Sequence, residues 1–188
     1  DYNECDEIDL VKSNGSICYR VPYDSYNHIL HYIDQLCSSE KTEVIYISLY
    51  RVAGENSILV NSLCKAAANG ILVYTYIEKM ARGDEDDNIV IANKLEKSGC
   101  HVILGCKDYK VHAKIFTAIT SDGSYSHIGT GNYNEKTAKI YTDTHILTND
   151  IEVSKSISNI FEFILSQSFC LRKSDELFFS PFNSREEI

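Results

Sequence analysis

Apolar runs of two different periods alternate along this chain, and the alternation constrains its fold more than any other feature. Six segments of six to nine residues are rich in β-branched and aromatic side chains, which is typical of strands. These segments are residues 43–50, 71–78, 100–105, 111–119, 125–131 and 141–148. Four other segments carry apolar side chains at helical spacing, namely residues 23–39, 56–70, 86–99 and 151–167. The order predicts an α/β layered domain with a parallel core, followed by hairpin-like antiparallel strands.

Capping residues mark the ends of the predicted helices. Asp24 or Ser25 is the expected N-cap of the first helix, because a short side-chain oxygen can accept from the free N–H groups there. Gly70 and Gly99 each follow a helical segment and are typical helix stops. Catalytic residues in such folds cluster beyond the carboxyl ends of the strands, so polar side chains at those positions are candidates for a site.

The length of 188 residues is enough for one domain with a sizeable core. We expect residues 21–188 to form this domain and residues 1–20 to be an appendage or inter-domain segment. The chain starts at Asp1 and its only methionine is Met80, which indicates a part of a longer protein.

Cysteine usage and charge narrow the function classes. The seven cysteines form no CxxC pair, so neither a zinc site nor a disulfide framework is predicted. This usage fits a cytoplasmic protein, peripheral to a membrane at most, since no apolar stretch is long enough to cross a bilayer. The formal net charge of −9 argues against a nucleic acid partner. Residues 107–139 nevertheless hold five lysines against three acidic residues, which predicts one anionic ligand bound locally.

A histidine and a lysine two positions apart, His112 and Lys114, lie in an otherwise apolar run. Residues two apart on a strand project from the same face, so the two side chains are expected to point the same way. Downstream, Gly129 and Gly131 free the backbone to turn and present N–H groups to an anion, and Asn132 adds a side-chain donor. Without further context, the pair also fits the solvated face of an edge strand, and the glycines fit an ordinary hairpin turn.

HxK followed by GTGN resembles the phospholipase D superfamily, in which a histidine attacks phosphorus while Lys and Asn hold phosphate oxygens. A more specific resemblance, from about residue 20 to the end, is to polyphosphate kinase of the histidine-phosphorylated type. The segments that carry it are VPYDSY, SLYR, EKMARGDEDDNI, VHAK, HIGTGNYNEKTAKIYTD and SPFNSREEI. The resemblance is to the first of two phospholipase D-like C-terminal catalytic half-domains. It implies a phospholipase D-like layered α/β/α domain with a mixed, mainly parallel central sheet, and an ATP–polyphosphate phosphotransferase.

The resemblance also implies roles for individual residues. His112 matches the histidine that becomes phosphorylated, Asp143 the residue that orients it, and Tyr141 a nucleotide contact. Arg51 and Arg82 match two arginines at the phosphate and magnesium site. Arginine has no lone pair free for a metal, so we interpret both as phosphate clamps beside Mg²⁺. The implied cofactor is Mg²⁺ with ATP. The implied partners are ATP, ADP, inorganic polyphosphate, the remaining domains of the enzyme and further copies of it in a homo-oligomer.

Two departures from these families affect the prediction. The phospholipase D motif HxKxxxxD ends on an aspartate where this chain has Ile119, which counts against a general phosphodiesterase. The polyphosphate kinase segment ELKARFDE reads EKMARGDE here, so its lysine stands at Lys79 instead of position 80 and Gly83 replaces a phenylalanine. We therefore expect a divergent family member in which nucleotide affinity is the property most affected.

The expected reaction starts at neutral His112, whose ring nitrogen attacks the γ-phosphorus of ATP before the phosphoryl group passes reversibly to polyphosphate. One HxK motif makes half of a site, so the isolated chain is expected to turn over little or nothing. Two alternatives stay open: a phosphodiesterase or nuclease half-site completed by dimerisation, and a non-catalytic polyphosphate-binding domain. His127 is expected to support the end of its strand.

Overall fold

The computed structural model describes residues 6–106, 110–166, 177 and 180. Its helices are α1 (Glu7–Asn14), α2 (Asn27–Ser38), α3 (Ile58–Ala68), α4 (Glu85–Lys97) and α5 (Ile151–Ser166). Its strands are β1 (Ser16–Val21), β2 (Thr42–Leu49), β3 (Leu72–Ile77), β4 (His101–Leu104), β5 (Lys114–Thr120), β6 (Gly123–Gly129) and β7 (Asp143–Thr148). Most of the SPFNSREEI segment lies outside the described residues, as do Lys107 and Asp108 of the lysine-rich segment.

The strands form one mixed sheet in the order β1-β7-β6-β5-β2-β3-β4. β2 pairs parallel with β3, and β3 with β4. The other pairings are antiparallel, so the expected α/β class and mixed sheet are confirmed, but the expectation of a mainly parallel sheet is wrong. The physical reason is in the connections. Parallel neighbours need a crossover such as α3 or α4, whereas β5 and β6 are joined by residues 121–122 alone.

Helices cover both faces of the sheet and give three layers. On one face, Ile45, Ile47 and Leu49 of β2 are buried in the main core together with residues of α1 to α4. On the other face, Phe161 of α5 packs with Tyr76 of β3 in a second, smaller cluster. Because side chains alternate along a strand, the apolar run of β2 serves both layers.

The described part of residues 1–20 differs from the expected appendage. Residues 7–14 and 16–21 form α1 and β1, and β1 pairs antiparallel with β7 along its whole length. Val11 of α1 is fully buried in the main core. The segment therefore completes the sheet and belongs to the same structural unit as the rest of the domain.

Two element boundaries differ from prediction in ways that matter. β5 begins at Lys114, so His112 precedes the strand that the sequence predicts from residue 111. The N-cap position of α2 is Tyr26 instead of the expected Asp24 or Ser25, although Oγ of Ser25 does accept from the N–H of Asn27, the first residue of the helix, at 3.3 Å. Asp24 instead accepts from the backbone N–H of Arg20 at 2.6 Å, which closes the turn after β1. None of the helices described is long and apolar enough to span a membrane.

Candidate active site

The candidate residues collect at one edge of the sheet, which we call the site edge. It is formed by the ends of β2, β3 and β6 and the starts of β5 and β7. Because β5 runs antiparallel to β2 and β6, its first residue, Lys114, pairs with Gly129, the last residue of β6. Asp143 opens β7 at the same edge, and Arg51 follows the end of β2. Antiparallel pairing thus brings strand ends and strand starts together.

His112 lies in the segment that leads into β5, and its side chain is exposed. The preceding N–H, of Val111, donates to Oε2 of Glu78 at 2.9 Å, and the carbonyl of His112 accepts from Nζ of Lys114 at 2.5 Å. Backbone outside a strand needs such side-chain partners to hold one conformation. The segment that carries the histidine is therefore fixed from both sides.

The imidazole of His112 contacts the ring of Tyr50 at a centroid distance of 4.6 Å and an interplanar angle of 75°. Around the same Tyr50 ring lie Nζ of Lys114 at 5.1 Å, Nζ of Lys110 at 5.3 Å and the guanidinium carbon of Arg51 at 5.9 Å. Partial burial lowers the pKa of His112, and the charges of Lys114, Lys110 and Arg51 lower it further. A neutral imidazole among cations is suited to attack an anionic phosphate group.

Lys114 is buried, with 4% of its surface exposed, whereas His112 is exposed. Both side chains nevertheless reach the ring of Tyr50, although His112 lies before the strand that Lys114 begins. Burial lowers the pKa of Lys114 to about 8, with Asp143 opposing this shift and Arg51 adding to it. The ammonium is still mostly protonated at neutral pH.

The two predicted arginines are joined through one side chain and one backbone carbonyl. A terminal guanidinium nitrogen of Arg51 donates to the carbonyl of Arg82 at 2.7 Å. Nε of Arg51 lies 2.8 Å from Oδ2 of Asp84 as an ion pair, but without the angle of a hydrogen bond. The side chain of Arg82 itself is exposed. Gly83 next to it has φ +86° and open space around its α-carbon, so glycine suits the backbone there.

Glu78 is a site-edge residue that the sequence analysis missed. Only 2% of it is exposed, and its carboxylate accepts from Tyr76 Oη at 3.0 Å and from the N–H groups of Met80 and Val111 at 2.9 Å each. It links the end of β3 to the segment that carries His112. The available sequence signal was a glutamate directly after an apolar strand, because a carboxylate buried there needs hydrogen-bond donors around it.

Asn88 of α4 is the second residue that the sequence analysis missed. Its buried Nδ2 donates to the carbonyls of Tyr50 at 3.0 Å and Glu78 at 2.9 Å. One amide thereby ties the ends of two parallel strands to a helix. A lone asparagine in a helix of polar composition gives no sequence signal for such a role.

The two predicted glycines make room for side chains instead of providing left-handed turns. Neither Gly129 nor Gly131 has a positive φ. A Cβ at Gly129 would lie 2.7 Å from Nδ1 of His145, and one at Gly131 would lie 2.7 Å from Cγ of Asp143. Both distances are shorter than any van der Waals contact allows, so larger residues would displace these side chains.

The GTGN turn is only in part the expected cradle of free amides. The N–H of Thr130 donates to the carbonyl of Thr144 at 3.0 Å, so it is already paired. Oγ1 of Thr130 donates to Oδ1 of Asp143 at 2.8 Å. Among the described residues, Asp143 makes no hydrogen bond to His112, so its orienting role stays a prediction.

Asn132 and Tyr141 lie on either side of a short 3-10 turn, Thr137–Lys139. Oδ1 of Asn132 is buried and has no hydrogen-bond partner within the described part of the chain. Tyr141 is 61% exposed. An unpaired buried amide oxygen and an exposed aromatic ring are both suited to contact a ligand.

His127 is structural, as expected. It is fully buried, with Nδ1 at 2.6 Å from Oη of Tyr133 and Nε2 at 2.9 Å from Nδ1 of His145. Burial holds the pKa of His127 well below its usual value, and the neighbouring His145 lowers it further. The ring is therefore neutral and has no access to a substrate.

Residues 6–106 and 110–166 contain no group of three or more His, Cys, Asp or Glu that could hold a metal ion. Cationic side chains surround His112, and the acidic groups of the site edge, Glu78, Asp84 and Asp143, already pair with backbone N–H groups, Arg51 and Thr130. This donor set fits a magnesium ion that arrives on the phosphate oxygens of a nucleotide better than one held by the protein alone.

The fold defines the class of protein. Nuc from Salmonella typhimurium, a phospholipase D family member, aligns with 81% of this chain and 94% of its own, with a TM-score of 0.64 at 14% identity. The chain therefore has a phospholipase D-like fold. A crystal structure of polyphosphate kinase from Porphyromonas gingivalis aligns with 95% of this chain and 30% of its own, with a TM-score of 0.81 at 26% identity.

The sequence places the chain within that class. The family model of polyphosphate kinase C-terminal domain 1 matches residues 8–169, and the chain belongs to this family. Polyphosphate kinase of Vibrio vulnificus is 39% identical over 179 residues, which cover 93% of this chain and 25% of that protein. The Escherichia coli polyphosphate kinase is 36% identical over 182 residues, 95% of this chain and 26% of the relative. The chain thus spans about a quarter of the length of these curated relatives.

Proposed function

We propose that this chain is a catalytic half-domain of a polyphosphate kinase, in which His112 carries the terminal phosphoryl group of ATP to inorganic polyphosphate. The observation that supports it best is a neutral, exposed imidazole fixed at the site edge among Lys110, Lys114 and Arg51. The proposed partners are ATP, ADP, polyphosphate, the other domains of the enzyme and further copies of it, in the cytoplasm.

The reaction has two in-line displacements. In the first, a ring nitrogen of His112 attacks the γ-phosphorus, the N–P bond forms, and the bond to the bridging oxygen breaks as ADP leaves. In the second, a terminal oxygen of polyphosphate attacks the same phosphorus and the N–P bond breaks, which lengthens the polymer by one unit and returns His112 to its neutral form. Both steps are reversible, so ADP and polyphosphate yield ATP.

The side chains of the site edge offset the charge of the phosphates. Lys114 and Arg51 lie near the same aromatic ring as His112, which supports a role for both cations in offsetting the charge of the transferred group. The exposed guanidinium of Arg82 is free to close on further phosphate oxygens. Asn132 adds an amide, and Asp143 accepts the second ring proton of His112 when its Oδ2 turns towards the imidazole. Mg²⁺, bound with ATP, supplies additional neutralisation of phosphate charge.

The test is the chemistry of the bound phosphate. The full-length protein that contains this chain is incubated with ATP labelled at the γ-position, and we expect a covalent label that is lost in acid and stable in base, as for a phosphohistidine. His112→Ala should remove it, whereas His31→Ala, at an exposed histidine of α2, should keep it. A label that persists in His112→Ala would refute the proposal.

The phospholipase D-like fold also supports a second candidate, a phosphodiesterase half-site. This candidate predicts cleavage of a phosphodiester without nucleotide or Mg²⁺, by a dimer that pairs two HxK motifs. The same samples distinguish the two, because the kinase requires ATP with Mg²⁺ and leaves a phosphodiester such as bis(p-nitrophenyl) phosphate intact.

A further inference from the structure

We propose that Tyr50 is the positioning residue of this site: its ring fixes the orientation of the His112 imidazole and gathers the cations around it. The catalytic part of this inference rests on the function proposed above. Its physical part, the effect of Tyr50 on His112, can be measured in the chain without any turnover.

The ring of Tyr50 is itself held in place from the backbone. Tyr50 directly follows β2, and its carbonyl accepts from the buried amide of Asn88 at 3.0 Å. Only 7% of Tyr50 is exposed. An aromatic side chain has two rotatable bonds, so fixing its backbone and burying its ring leaves it one position. A rigid ring is a suitable support for a side chain that is itself exposed.

The imidazole of His112 meets this ring nearly perpendicularly, at 4.6 Å and 75°. Such T-shaped pairs are a favoured aromatic geometry. His112 forms no hydrogen bond from its ring to any described residue, so this contact is the main restraint on the direction in which its nitrogens point. In-line attack on phosphorus depends on that direction.

The same ring explains how three cations can stand together. Lys114, Lys110 and Arg51 lie 5.1, 5.3 and 5.9 Å from its centre, within the range of cation–π attraction. Like charges at this spacing repel one another, and the negative potential of the ring face opposes that repulsion. Removal of the ring should therefore let the cations spread apart and expose to water the part of the imidazole that the ring covers.

The first experiment measures the pKa of His112 by NMR titration of its ring resonances in the 188-residue chain. Tyr50→Met removes the aromatic ring at similar volume, and Tyr50→Leu repeats the test with a smaller side chain. Tyr50→Phe keeps the ring, and Tyr46→Leu removes an aromatic residue of β2 that packs against Tyr74 and Phe161 instead.

Burial is the first cause of the lowered pKa of His112, so Tyr50→Met and Tyr50→Leu should raise that pKa towards its usual value. Tyr50→Phe and Tyr46→Leu should leave it unchanged. Urea unfolding of each variant reports whether it folds, and a folded Tyr50→Met or Tyr50→Leu with an unshifted His112 would overturn the proposal. If neither Tyr50→Met nor Tyr50→Leu folds, the test uses Tyr50→Phe alone. The pKa and the ring resonances of His112 must then be the same in Tyr50→Phe as in the unaltered chain, and a difference would overturn the proposal.

The second experiment separates this inference from the proposed function. Potassium phosphoramidate phosphorylates histidine directly: the imidazole attacks phosphorus, the N–P bond of the reagent breaks, and ammonia leaves. The rate of phosphorylation of His112 should fall in acid as the imidazole becomes protonated. This fall should occur at higher pH in Tyr50→Met and at unchanged pH in Tyr50→Phe. With ATP and the full-length protein, the rate of phosphoenzyme formation should fall on the order of tenfold to a hundredfold in Tyr50→Met, from misorientation of the nucleophile.

The outcomes have distinct meanings. A shifted phosphoramidate profile without any labelling by ATP of the full-length protein would support Tyr50 as the positioning residue and refute the kinase. Labelling by ATP that is equally fast in Tyr50→Met would refute the role of Tyr50 and leave the kinase intact.

Discussion

Replacing Glu78 by glutamine should destabilise the domain far more than its chemical similarity suggests. Glu78 offers two carboxylate oxygens to three donors, Tyr76 Oη and the N–H groups of Met80 and Val111. A glutamine has one acceptor oxygen and an NH₂ group in the place of the other. Since a backbone N–H can only donate, one amide turned towards NH₂ is left buried without an acceptor, whichever way the glutamine points.

The cost follows from these contacts. Hydrogen bonds to a carboxylate contribute about 1.5–3 kcal/mol each, and an unsatisfied buried donor costs about 1–3 kcal/mol. We therefore expect Glu78→Gln to lower the free energy of unfolding by about 2–3 kcal/mol. Because Glu78 holds the N–H of Val111, which adjoins His112, labelling of that histidine by ATP should fall as well.

The chain offers a matched control in Glu7, which is as buried as Glu78. Its carboxylate pairs with Tyr19 Oη and with Nδ1 of His28, each at 2.6 Å. A hydroxyl and an imidazole nitrogen can each donate or accept, so they can adapt to a glutamine. In urea denaturation at pH 7, Glu7→Gln should cost less than about 1 kcal/mol. Equal losses in the two variants, or a loss below about 0.5 kcal/mol in Glu78→Gln, would refute the reasoning.

Three further predictions concern the site edge and the histidine network. With the pKa of Lys114 at about 8, the rate of phosphoryl transfer should decline as the pH rises through that value. Lys114→Arg should move this decline to higher pH. A decline at unchanged pH would contradict the role of the Lys114 charge. Gly131→Ala should slow the labelling of His112 by ATP roughly tenfold, because the new methyl group displaces Asp143. In a protein that already carries Asp143→Ala, the same substitution should have little further effect. Additive effects in this double-mutant cycle would argue against the displacement. Burial lowers the pKa of His127 and His145 below 6.5, so the unfolded chain binds more protons in acid. The free energy of unfolding, measured in urea between pH 7.5 and 5.5, should fall below pH 6.5 by up to about 1.4 kcal/mol per pH unit for each histidine, and a flat profile would contradict the neutral pair.

The periodicity of the sequence was sufficient to predict most of the fold. Strong runs such as that of β2 and the glycine stops after α3 and α4 predicted element type and order, because local propensity and tertiary packing agree there. The segment before residue 21 was misjudged because β1 gives a weak strand pattern. It is short, lies at the edge of the sheet and buries only alternate residues. Its pairing with β7 is a contact between residues about 130 apart, which no local pattern records.

The site was predictable in its residue types but not in its arrangement. His112 and Lys114 were identified by their spacing, yet β5 begins only at Lys114, so the rule for strand faces did not apply. The supporting contacts were invisible because they join separate segments: Glu78 bonds to Val111, and Tyr50 lies beneath His112. Such contacts depend on which strands neighbour each other, and the sequence pattern left that order open.

The antiparallel pairing of β5 with β6 also determines where this protein can be altered without harm. One end of the hairpin carries Lys114 and Gly129, while residues 121–122 close it at the opposite end, seven residues of strand away. There Asp122 meets Lys41 in an exposed ion pair at 2.6 Å, near the start of β2. A fluorophore, a purification tag or an inserted loop attached at this turn would lie at the end of the strands opposite to His112. It would thus give an optical or mechanical handle on the protein at a distance from the site edge.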